Sequence, residues 1–160
     1  MQMCFRWSIV TNFLDEVQAT AGRIQKAFIA MVDSLLRNFD VTNGVNVLRL
    51  ICGLFFIPHV VGKFTEPATL NFFKEAKFNP PATWMYIAAA IEILLSIGLV
   101  VGIYTPYVAV IAAAHLFVAA VADWKVARRW IWVAGGVEYP LFWMLCCVAL
   151  TLLTWRNGFY

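Results

Sequence analysis

Four apolar runs of about 16 to 25 residues follow one another after residue 44, each close to the roughly 20 residues that an α-helix needs to cross the hydrocarbon core of a bilayer. In lipid, every backbone N–H and C=O must find its partner within the protein, so spans joined by short connections are helices. The balance of residues agrees, with 62% hydrophobic and only 13% charged, far from the split of a water-soluble domain. The expected fold is an all-α integral membrane four-helix bundle, and 160 residues leave room for no second compact domain beside it.

The spans are placed at about 45–62, 84–103, 107–122 and 135–155, in a bundle region covering 45–160. "NPP" at Asn79–Pro81 blocks helix before the second span, and the tight "YTPY" turn at Tyr104–Tyr107 makes spans two and three antiparallel neighbours. The start of span four falls between Ile131 and Glu138, where "WIWVAGGVEYP" suits either a span or an interfacial loop. Trp84, Tyr86, Tyr104, Tyr107, Trp124, Trp130, Trp132 and Trp155 mark the run ends, as an aromatic belt does. Residues 1–44 read differently. Leu14, Val17, Ala21, Ile24, Phe28, Met31, Leu35 and Phe39 recur at steps of three and four, the pattern of one amphipathic helix. That helix is expected on the lipid surface or against a partner, or else folded back on its own bundle.

Several functions are excluded or disfavoured. The net charge of +3 is scattered, without the basic run that tracks a phosphate backbone, so nucleic acid is not an expected partner. Cys4, Cys52, Cys146 and Cys147 form no CxxC and no zinc spacing, and read as small packing residues with no metal site. No compact apolar core with a small-residue cleavage site opens the chain, so no removable leader is expected. Four spans without a repeat or a pair of Gly/Pro-broken helices do not match the layout of a secondary transporter.

The charges within the spans carry the functional expectation. At 100° per residue, Arg49, Cys52, Gly53, His59 and Lys63 share one face of span one, within about 120°. A charge at the bilayer centre costs about 2.5–3.5 kcal/mol on insertion scales, so this face should look inward and meet acids. Glu92, near the middle of span two, is the expected partner of Arg49. His59, Lys63, Asp123 and Glu138 gather at the long-loop side as a polar vestibule suited to an anionic or carbonyl-bearing ligand whose reaction moves protons. Each has a plain structural reading beside it: a register-fixing Arg49–Glu92 pair, a Lys63 that snorkels to the headgroups, Asp123 and Glu138 solvated at helix ends. His115, alone in span three, reads first as a hydrogen-bonded core histidine. Haem ligation by His59 and His115 is disfavoured, because their depths differ by about 5–8 Å.

In order, an Arg and a Gly early in span one, a His and "GK" at its exit, a mid-membrane Glu before "GLVVGIYTP", an apolar third span and "GGVEYPLF" opening the fourth resemble the DoxX family of small four-span bacterial membrane proteins. The resemblance runs from about Val45 to Trp155, and "WRNGFY" departs from the family's usual tail. It implies functional positions at Arg49, Lys63, Glu92 and Glu138, a bacterial inner-membrane location, and a membrane subunit of a redox complex acting at a quinone or a small sulfur oxyanion. On this reading Glu92 and Glu138 relay protons, while Arg49, His59, Lys63 and Asp123 hold the ligand. The partners are the lipid bilayer and either other redox subunits or further copies of the chain. The alternative is a non-catalytic accessory or assembly subunit, since no nucleophile, metal or nucleotide motif is present.

Overall fold

The computed structural model describes residues 2–131 and 136–156, and of residues 2–15, 34 and 35 the backbone alone. The expectations for Cys4, Leu14, Leu35 and Trp132, for a span beginning at residue 135, and for the tail beyond Arg156 therefore lie outside the described residues. Seven helices make up the described chain: α1 (Gln2–Asn38), α2 (Gly44–Leu54), α3 (Phe56–Thr65), α4 (Pro67–Glu75), α5 (Pro81–Val101), α6 (Thr105–Ala127) and α7 (Glu138–Arg156). Continuous α2–α3, α5, α6 and α7 are each long and apolar enough to cross a membrane. The protein is an all-α, multi-pass membrane bundle preceded by a helix.

Residues Met1–Asp40 and Val41–Tyr160 form two compact units. In the first, α1 runs for 37 residues, and Val17, Ile24, Phe28 and Met31 on its apolar stripe are all exposed. The second unit is the bundle.

Proline sets much of the punctuation. Pro67, Pro81 and Pro106 stand in the first turns of α4, α5 and α6, where a missing N–H costs nothing because those donors have no intrahelical partner. Pro58 stands inside the first span, has no N–H to give the Leu54 carbonyl, and its ring crowds that carbonyl. The helical hydrogen bonding is accordingly interrupted at Phe55, between α2 and α3, while Phe55 itself keeps helical dihedrals (φ −66°, ψ −19°). The two halves of the span have different partners: α2 packs on α5 and α7, whereas α3 packs chiefly on α5 and α4. α5 ends on Gly102 in the left-handed region (φ 82°), whose N–H reaches Gly98 O at 2.9 Å. That conformation suits a residue without a Cβ. α6 then starts two residues before its expected position and continues to Ala127, packing most extensively on α7.

The core is built of Cys52, Phe56, Leu95, Leu99, Ala112, Leu116, Trp143, Cys147 and Leu150 with their neighbours. Many of its members are small, which lets helices approach closely where lipid offers no hydrophobic drive. Gly53 marks such an approach between α2 and α5, since a Cβ there would lie 2.9 Å from Leu99 Cβ and 3.1 Å from Val100 N. Gly53→Val is therefore expected to force α2 from α5 and destabilise the bundle by about 1–3 kcal/mol, read as a lowered unfolding temperature in detergent. An unchanged temperature would show that the helices slide apart at no cost. Outward, Leu94, Ile97, Ile111, Phe117, Phe142 and Leu152 are exposed, as lipid-facing positions must be. The expected aromatic anchors Trp84, Tyr86, Tyr104, Tyr107, Trp124, Trp130 and Trp155 are exposed as well.

Candidate functional site

Glu92 lies eleven residues into α5, about 16 Å along a helix roughly 30 Å long, and so near the middle of the membrane. It is buried, with its side chain 8% exposed. Two cationic or basic groups from other spans satisfy it. Lys63 Nζ, from the last turn of α3, donates to Glu92 Oε2 at 2.6 Å and Oε1 at 2.8 Å. His115 Nε2, from the middle of α6, lies 3.1 Å from Oε1. Three spans are thus tied at one carboxylate, and the lysine side chain is itself only 10% exposed. Charge-assisted bonds of this length are the strong ones, and desolvation makes the pairing obligatory for an ammonium at this depth.

His59, one turn before Lys63, is within electrostatic range of Glu92, Lys63 and His115. The residue is exposed on the bundle surface, and its ring stacks on Tyr139 of α7, with centroids 5.8 Å apart and planes 14° from parallel. It also lies 5.4 Å from the Trp143 ring. Trp143 in turn packs on Phe56 at 4.3 Å, and Phe56 lies 6.2 Å from His115. A wall of aromatic rings from α3 and α7 therefore leads from the bundle surface to the histidine of the buried triad. Within that wall Trp143 is 4% exposed, and its Nε1 has no hydrogen-bond partner among the described residues. On the other side of α3, Lys63 borders a crevice of about 210 Å³ whose lining includes Glu66, Leu70, Met85 and Tyr86.

Arg49 is used elsewhere. It is buried in α2, and its guanidinium donates to the carbonyl oxygens of Leu99 and Val100. Those carbonyls lie in the last turn of α5, where intrahelical donors run out and partial negative charge accumulates. The Arg49–Glu92 pairing expected from the sequence is not formed. Glu92 is seven residues before Leu99, about 10 Å along the helix, and the ends of α2 and α5 meet at the Gly53 contact instead.

The other expected site residues divide as follows. His59, Lys63 and Glu92 converge. Asp123 is half-buried on α6, eight residues beyond His115, and makes no hydrogen bond or ion pair among the described residues, so no direct contact joins it to the triad. Glu138 opens α7, where an acid suits the helix dipole, and its backbone N–H donates to Trp130 O at 3.0 Å. Cys52, Cys146 and Cys147 are free thiols, two of them fully buried. No group of three or more His, Cys, Asp or Glu side chains among the described residues is arranged to hold a metal ion. His115, Tyr139 and Trp143 are the participants that reading the sequence leaves out of the site. The one available signal for them is a His and a Trp placed mid-span, away from the interfacial belt.

A family model for DoxX matches residues 44–124, just over half of the chain. The chain belongs to the DoxX family. No curated protein and no solved structure matches it. The matched DoxX stretch contains Arg49, His59, Lys63, Glu92 and His115 and ends within α6. α7, which supplies Glu138, Tyr139 and Trp143, lies beyond it. The triad thus belongs wholly to the DoxX-matched region, while the aromatic wall is shared with a helix outside it.

Proposed function

We propose that this DoxX-family chain is the membrane subunit of a redox complex in the bacterial inner membrane, with His59, Lys63, Glu92 and His115 as its site for a quinone headgroup or small oxyanion. The observation that carries this reading is the meeting of Lys63, Glu92 and His115, from three separate spans, at one buried carboxylate. A structural lock needs one pair; the third, titratable partner gives the carboxylate a neighbour with which to exchange a proton. Reducing a quinone to a quinol takes two electrons, drawn here from the substrate oxidised on a partner subunit, and two protons. Glu92 and His115 lie where those protons can be handed on, and Lys63 and His59 can hold a carbonyl or anionic oxygen. Arg49, occupied at the end of α5, sets helix register on this reading.

Quinone-dependent electron transfer per mole of folded chain, in membranes carrying Glu92→Gln or Lys63→Ala, is expected to fall by at least about 100-fold, the range for losing a positioned proton-transfer group. Rates equal to wild type in both variants would overturn the proposal. They would favour the accessory-subunit reading, which draws on the exposed apolar stripe of α1 as a docking arm.

A further inference from the structure

The Trp143 indole is an anomaly in the core: a strong donor, buried, with no acceptor among the described residues. Buried indole N–H groups nearly always find a partner, and an orphaned one costs free energy in lipid just as it does in a soluble core. Its surroundings explain where an acceptor can come from. Beyond Phe55, α3 packs chiefly on α5 and α4, and the seam between α3 and α7 is filled by side chains, namely Phe56, His59, Tyr139 and Trp143 itself. His59 is exposed at the mouth of that seam and Tyr139 is half-buried behind it. Two rings that touch by stacking alone can part by rotamer changes, with no backbone hydrogen bond broken.

Resting on the function proposed above, we infer that Trp143 Nε1–H is the donor that anchors a carbonyl oxygen of a flat, lipid-soluble ligand, which enters from the bilayer between His59 and Tyr139. The chemistry selects that class over a free oxyanion. The seam is walled by aromatic rings that suit a planar partner in offset stacking, and its mouth is on the apolar surface of a span. The single unsatisfied donor asks for one neutral acceptor. With one carbonyl held by Trp143, the ring lies against Phe56, whose own ring centroid is 6.2 Å from that of His115, the histidine bonded to the Glu92 carboxylate. Trp143 is thus a positioning and specificity residue, and the proton-bearing groups remain those of the triad.

The test uses the full chain in detergent micelles with its indole nitrogens labelled by ¹⁵N. The sequence has seven tryptophans, and Trp143→Phe identifies the resonance of interest by its disappearance. Titration with a short-chain ubiquinone is expected to shift the Trp143 indole proton downfield, as a new hydrogen bond requires. Trp143→Phe, which keeps an aromatic ring and removes the donor, is expected to weaken quinone binding about tenfold while leaving the unfolding temperature equal or higher. Quinone binding that perturbs the other site signals and leaves the Trp143 resonance unmoved would overturn the inference and leave the proposed function standing. So would perturbation of the site by thiosulfate alone. Failure of both probes to bind would remove the proposed function together with it. Where that variant folds poorly, Trp→Phe changes at the other six tryptophans assign the Trp143 resonance by elimination, and the wild-type titration then decides.

Discussion

Replacing Glu92 by leucine is expected to destabilise the bundle by about 3–5 kcal/mol, the cost of breaking a buried ion pair from one side. The loss comes from what remains. Lys63 Nζ forfeits both carboxylate oxygens, at 2.6 and 2.8 Å, and His115 forfeits its partner at 3.1 Å. An unpaired ammonium at this depth must neutralise, draw in water or pull toward the headgroups, and each route disturbs α3. The double variant Glu92→Leu with Lys63→Met is expected to recover most of the stability, since two apolar residues of similar volume replace a pair whose desolvation nearly offsets its attraction. Unfolding measured in detergent for the two single variants and the double variant closes a cycle, and a coupling of about 2 kcal/mol or more marks a true pair. Wild-type stability in Glu92→Leu alone would mean that Lys63 reaches the headgroups unaided. The double variant also separates stability from function: it should fold and be inactive in quinone-dependent electron transfer.

How much of this site could be read from the sequence depends on whether one helix or two were needed to see it. The spans, the turn after α5 and the shared face of His59 and Lys63 follow from run length and the 100° step, which are properties of a single segment. Choosing Arg49 as the partner of Glu92 required the axial register between α2 and α5, and register is set by Gly53 against Leu99 and Val100, a contact without a signature in either segment alone. His115 shows the same limit from the other side. Its neighbours in sequence are Ala and Leu, so its role comes entirely from an acid on another helix. Pro58 was visible as a letter, yet a proline within an apolar run tells only that a hydrogen bond is lost. That an aromatic seam lies there beside α7 depends on Tyr139 and Trp143, 81 and 85 residues further along the chain.

Arg49→Met is the second large effect, and it distinguishes a structural arginine from a ligand-binding one. The guanidinium bridges α2 to the last turn of α5 through the Leu99 and Val100 carbonyls, both beside a backbone approach so close that Gly53 alone fits. No water is freely at hand there to replace the donor, because the position is buried in a membrane-spanning segment. Losing hydrogen bonds from a charged donor to two carbonyls is expected to cost about 2–4 kcal/mol. Lysine substitutes only in part: both bonds leave one nitrogen, Nη1, whose place an ammonium can take, but the ammonium is a more strongly hydrated point charge and costs more to bury. Arg49→Lys should therefore recover only part of the loss. The decisive readout is the split between folding and binding. Both variants should lower the unfolding temperature, whereas the quinone affinity of the protein that remains folded should stay within about twofold of wild type, less than the loss of any direct hydrogen bond to a ligand. A variant of normal stability with quinone binding abolished would return Arg49 to the ligand and move the site toward the α5–α6 turn.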